Sequence, residues 1–144
     1  MRGAWLLAAA LLAGGAGAAE FKCVGESAAV LYDAPSRAAT PTYVVQRDYP
    51  LEVLVTLEAW VKVRDHAGVL SWIERKSLSD RRMVLVAAPS APALVRPEEG
   101  APVAFLAEQF VALELLEFAP GGWVRVRHAD GSNGYMHAAQ LWGA

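Results

Sequence analysis

Trp60-Val61-Lys62-Val63-Arg64-Asp65-His66-Ala67-Gly68-Val69-Leu70-Ser71-Trp72-Ile73 is the stretch that decides the fold. Side chains two apart along a strand share a face, so Val61 and Val63 point one way and Trp60, Lys62 and Arg64 the other. The valines are the core face, each worth about 1.5–3 kcal/mol when buried. Asp65 to Gly68 reads as a turn, with Asp opening it and Gly free to take positive φ. Val69 to Ile73 is the return strand, so the segment is a β-hairpin.

The same pattern returns downstream. Trp123-Val124-Arg125-Val126-Arg127 repeats Trp60 to Arg64 at an offset of 63, and Gly131, Tyr135 and Leu141 repeat Gly68, Trp72 and Leu78. Leu51-Glu52-Val53-Leu54 is matched by Leu113-Glu114-Leu115-Leu116 at 62, one residue having been gained in the Pro120-Gly121-Gly122 turn. Ala29-Val30-Leu31-Tyr32 loosely matches Ala93-Leu94-Val95-Arg96. Ordered anchors at a fixed spacing mark an internal duplication. Ser77 to Asp80 reads as a 3₁₀ turn, and Met83 to Val86 as the closing strand of the first repeat. Phe105 to Phe118 is apolar enough to mimic a helix, but its match to repeat 1 makes it strand. No helical period stands out beyond the N-terminal segment. Five or so short strands in about 60 residues predict a small barrel with protected edges.

Met1-Arg2, the apolar run Trp5 to Ala13 and the small residues Gly14 to Ala19 have the three regions of a secretory signal peptide. The apolar run is too short to span a bilayer. Phe21-Lys22 before Cys23 does not fit a lipid-anchoring signal. The expected organisation is therefore a signal peptide over 1–19, a first barrel over 20–86, a Pro-containing linker over 87–92 and a second, more divergent barrel over 93–144. An exported, periplasmic or secreted protein follows, not membrane-spanning once cleaved. Cys23 becomes a free thiol near the mature terminus, open to an intermolecular disulfide in an oxidising compartment.

The chain of 144 residues is 55% hydrophobic and 19% charged, with a net charge of −2. Disorder is excluded by the apolar content, a disulfide scaffold by the single Cys, and charge-driven nucleic-acid binding by the acidic balance. Removal of Arg2 with the leader takes the net charge from −2 to −3. His66, His128 and His137 show no metal-ligand spacing. Neither Cys23 nor Ser79 has a local His partner, so no catalytic residue, metal or cofactor is expected.

Ala29 to Ser36, Tyr49 to Val53, Trp60 to Asp65, Gly68, Trp72 to Glu74 and Leu78 to Arg82 resemble the bacterial SH3-like domain family of exported proteins, in its tandem form. The resemblance covers both repeats and implies an all-β fold of two small SH3-like barrels with a non-catalytic binding role, often at the cell envelope. Eukaryotic members read proline-rich peptides through a Tyr, a Trp, a Pro and a second Tyr. Tyr32 and Trp60 match the first two, but Glu74 stands at the Pro and Ser77 at the second Tyr. In repeat 2, Arg96 replaces the first Tyr and Ala138 lies in the Pro region. A changed groove is expected rather than proline recognition.

The candidate groove residues are Tyr32, Tyr49, Trp60, Trp72, Trp123 and Tyr135. Trp60 and Trp123 lead, because an aromatic beside cations on a solvent-side strand can grip a peptide or glycan; the alternative is that each indole lies flat over its own barrel and stiffens the hairpin. Trp72 is expected to fill the core rather than line the groove, since Tyr135 replaces it in repeat 2. Arg75, Lys76, Arg81 and Arg82 form the one basic cluster, a solvated face or a seat for an anionic partner. The functional expectation is docking on cell-wall peptidoglycan or an envelope protein or peptide, with no nucleic acid. The alternative is an assembly subunit in which both barrels pack into one unit of a larger envelope complex.

Overall fold

The structure, a computed structural model, describes residues 18–25 and 27–144, so the leader read over 1–19 lies, but for its last two residues, outside the described residues. Among those described, no helix is long and apolar enough to cross a membrane. The chain is all-β. The first seven strands are β1 (Glu20–Val24), β2 (Ala29–Tyr32), β3 (Pro41–Val45), β4 (Pro50–Thr56), β5 (Trp60–Arg64), β6 (Leu70–Glu74) and β7 (Leu78–Ser79). They form an antiparallel sheet of order β3-β2-β6-β5-β4-β1-β7. The second seven are β8 (Met83–Val86), β9 (Ser90–Leu94), β10 (Val103–Glu108), β11 (Ala112–Ala119), β12 (Trp123–Arg127), β13 (Asn133–His137) and β14 (Leu141–Trp142). Their order, β10-β9-β13-β12-β11-β8-β14, repeats the first strand for strand.

Neither sheet is closed: β3 and β7 are unpaired edges, as are β10 and β14. Each curls over its own core instead. Val24, Leu31, Val45, Leu51, Val61, Val63 and Ile73, from six strands, meet in one buried cluster. Val84, Ala91, Ala107, Leu113, Val124, Val126 and Met136 do so in the second repeat. A bulge between Val53 and Val55 bends β4, and one between Leu115 and Glu117 bends β11 at the equivalent place.

The hairpin forms as its residues require. Gly68 takes φ +84° and Gly131 φ +93°. The Asp65 carboxylate accepts the amides of Ala67 and Val69, both at 2.9 Å, and ties the turn. In the second repeat His128 stands in for Asp65, its Nδ1 accepting the Asp130 amide at 3.2 Å. The repeats reach similar packing with different volumes. Leu31 and Ser71 face the first core, whereas Ala93 and Gly134 occupy these positions in the second. A Cβ on Gly134 would lie 2.9 Å from that of Ala93, so no side chain fits. The space freed above these small residues lets Phe105 pack on the second core, while its counterpart Tyr43 stays 71% exposed.

Several expectations are corrected. Met83–Val86 does not close the first repeat. It pairs with β11 and β14 and opens the second, with Val84 and Val86 buried in the second core. The boundary moves from residue 86 to the three residues between β7 and β8. The expected linker 87–92 is instead half strand, since Ser90 to Leu94 pair with β10 and Ala91 is buried. The 3₁₀ turn falls at Arg75–Ser77, two residues early. Cys23 is wholly buried in β1 rather than loose at a terminus. Burial pushes its thiol up, which makes it a poor nucleophile.

The two sheets touch. The His66 ring at the β5–β6 tip lies 4.9 Å from Phe110 and 6.5 Å from Trp142, and Phe21 meets Trp142 edge-on at 5.2 Å. Lys22 pairs with Asp80, Arg81 with Asp48, and Arg82 donates to the Gly143 carbonyl at 2.7 Å while lying over the Phe21 ring. All three connecting residues are thus stapled.

Candidate functional site

Trp60 opens β5, directly opposite Glu74 on β6. Alternation turns it away from Val61, so its ring leaves the core and meets Tyr32 edge-on at 5.5 Å. The loop after β2 brings Pro35, Ser36 and Arg37 to one side of it. Glu58 and Ala59 close a second side, and Glu74, Arg75 and Lys76 a third. The result is an open groove of about 890 Å³ with a half-buried indole in its floor.

Charge is arranged around that indole. Arg37 grips the Glu74 carboxylate with two hydrogen bonds, Nε to Oε1 at 2.6 Å and Nη2 to Oε2 at 3.1 Å. Lys76 Nζ lies 3.3 Å from the same carboxylate. The Arg37 hydrogen bond, opposed by partial burial, holds the Glu74 carboxyl below its ordinary range. Glu74, which replaces the groove's proline, is therefore a clamp fixing the loop after β2 to β6. A lowered carboxyl stabilises above its ordinary range and loses that contribution as pH falls through its folded value. Acidification is accordingly expected to release Arg37 and shift Trp60 emission, and Glu74→Gln should abolish that acid transition; emission against pH in both proteins checks it.

The second repeat treats the same positions differently. Register places His137 opposite Trp123, as Glu74 is opposite Trp60. The imidazole stacks on the indole at 3.9 Å with an interplanar angle of 29°. Glu99 holds His137 through Nε2 at 2.6 Å. Glu99 is the counterpart of Arg37, so the clamp persists with the carboxylate moved to the loop and a histidine on the strand. Leu94, Ala101, Ala119 and Tyr135 pack round Trp123, which is only 6% exposed. Its groove is filled by the protein itself.

Of the sequence candidates, Tyr32 and Trp60 share the open groove. Trp123, weighed as a ligand contact or as structural cover, is covered, with His137 stacked on it. Trp72 is not core: it pairs with Lys62 and Tyr32 on the outer face, because Ser71 and Ile73 take the inward positions. Tyr135 likewise lies outside the core, its hydroxyl 3.4 Å from Glu117. Tyr49 does not line the groove. It packs against the first core, where burial pushes its phenol up, and its hydroxyl hydrogen-bonds with His66 Nδ1 at the junction of the sheets. Register also aligns Tyr32 with Leu94, not Arg96, since these residues face Trp72 and Tyr135 respectively. The basic cluster splits, with Arg75 and Lys76 bordering the groove, Arg81 tied to Asp48 of the first repeat and Arg82 joining the two sheets. The Arg37–Glu74 clamp was missed because its partners are 37 residues apart and neither belongs to a motif.

No curated protein matches this chain. Among solved structures, NlpC2 from Trichomonas vaginalis is similar at 16% identity and a TM-score of 0.40, over 85% of this chain and 47% of that one. NlpC1 from the same organism gives 17% and 0.40, over 85% and 45%. An NlpC/P60 family protein from Bacillus cereus gives 18% and 0.39, over 85% and 55%. The chain thus spans about half the length of these proteins. The bacterial SH3 domain family matches twice, at residues 25–80 and 87–143, each match beginning just after the first strand of its sheet. The chain belongs to the bacterial SH3 domain family and carries two copies in tandem.

Proposed function

We propose that this chain is an exported, non-catalytic binding module that docks on cell-wall peptidoglycan or an envelope peptide through the Trp60 groove of its first repeat. Bacterial SH3 domains are binding domains rather than catalytic ones. The observation that carries the reading is the contrast between the repeats: Trp60 lies open among charges, while Trp123 is covered by His137. An open indole beside Arg75 and Lys76 offers a sugar or peptide a flat apolar face with cations at its rim. Titration with purified peptidoglycan fragments is expected to change Trp fluorescence. Trp60→Ala should weaken binding at least tenfold, and Trp123→Ala within about twofold. Equal binding by the Trp60→Ala protein excludes the groove.

A second reading draws support from the aromatic contacts between the sheets. In it the packed pair serves as an assembly subunit of a larger envelope complex. Crosslinking in the envelope fraction separates the two, since an assembly subunit is captured by protein even when Trp60 is replaced.

A further inference from the structure

A second cleft opens where the two sheets meet, independent of the Trp60 groove. One wall carries Arg47, Asp48 and Arg81 from the first repeat; the other carries Glu114, Arg127 and His128 from the second. Residues 33 to 81 positions apart in sequence are brought together only by the packing of the sheets, so no sequence motif announces them.

The charges do not balance. Asp48 is shared by two guanidiniums, pairing with Arg81 and lying 3.6 Å from Arg47 Nε. Arg47 makes no hydrogen bond in that contact, and its side chain is 59% exposed. Across the cleft, Arg127 spends both Nε and Nη2 on one oxygen, Glu114 Oε2, at 3.3 and 2.7 Å. Its Nη1 makes no hydrogen bond among the described residues. His128 Nδ1 lies 3.2 Å from both the Asp130 amide and the Asp130 carboxylate, and its Nε2 makes no hydrogen bond among the described residues. Three permanently charged guanidiniums thus line the cleft with two carboxylates, the third nearby carboxylate, Asp130, standing beside His128 rather than among the lining residues.

Geometry narrows the ligand. A carboxylate is satisfied by the fork of one arginine. Donors arriving from two opposed walls instead suit an anion whose oxygens point in several directions. We infer that this cleft, of about 400 Å³, binds a phosphoryl group, bridging the two repeats. The source is either free phosphate or the phosphomonoester of a larger molecule.

The test uses the uniformly ¹⁵N-labelled protein at constant ionic strength in chloride. Inorganic phosphate is expected to shift the Ala129 and Gly131 amides saturably. Arg47→Gln and Arg127→Gln should each weaken that binding at least fivefold, while Arg96→Gln, remote from the cleft, leaves it unchanged. Tighter binding of glycerol 3-phosphate assigns the group to a larger molecule, and equal binding assigns it to free phosphate. Non-saturable shifts, an equal loss in the Arg96→Gln protein, or malonate binding as tightly as phosphate overturn the proposal.

Discussion

Trp123→Ala is expected to destabilise the second repeat by about 3 kcal/mol, near the lower end of the range for a buried tryptophan. The indole is almost wholly buried, under His137 and against Leu94, Ala101 and Tyr135. Removing it leaves a void on the outer side of β12 and strips His137 of its stacking partner. At roughly 0.05–0.15 kcal/mol per residue, a repeat of about 60 residues has about 3–9 kcal/mol in all. The loss is therefore a large share, and urea unfolding followed at the Met136 amide should show a much lower midpoint. The same truncation at Trp60 removes a half-exposed ring and should cost about 1 kcal/mol or less. An equal loss at both positions would mean that the two tryptophans do the same job.

Leu51→Ala is the second large effect. Leu51 is fully buried and belongs to the apolar cluster at the centre of the first sheet. Leu→Ala in such a site costs about 2–5 kcal/mol, the spread reflecting how far neighbours collapse into the cavity. A core this thin has few neighbours to spare, so the upper half of that range is expected. The second sheet has a separate core, and the residues joining the two are mostly surface side chains. Unfolding should therefore split into two steps. The Ile73 amide would report the earlier one and the Met136 amide the later. A single, unshifted transition would show that the first repeat does not rest on this cluster.

Much of the fold was legible because its signals are local. The Trp-Val-Lys/Arg-Val-Arg strands, with Gly68 and Gly131 behind them, specify face, turn and partner strand within fifteen residues. The 62- and 63-residue offsets then set one repeat upon the other. What misled was ownership. Met83–Val86 reads equally well as a last or a first strand, and only pairing with Ala112 to Glu114 decides. Trp72 was misplaced in the core because its face depends on the register with Lys62, which a hydrophobic side chain alone does not reveal. For the site, Tyr32 and Trp60 were visible as residue types at family positions. That Trp123 is cover was one of two alternatives, but what covers it was not visible, because His137 and Glu99 carry no apolar or motif signal and act only through a contact across 38 residues.

The exchanged clamp has a consequence for a chain that contains nearly the same module twice. Tandem repeats risk assembling with each other's pieces during folding. If the loop after β9 were laid on the first sheet, Glu99 would meet Glu74, carboxylate against carboxylate. If the loop after β2 were laid on the second, Arg37 would meet His137 and find no anion there. Each loop is thus electrostatically keyed to its own sheet, and the price of a swapped pairing is set by two residues at the tips of otherwise interchangeable parts.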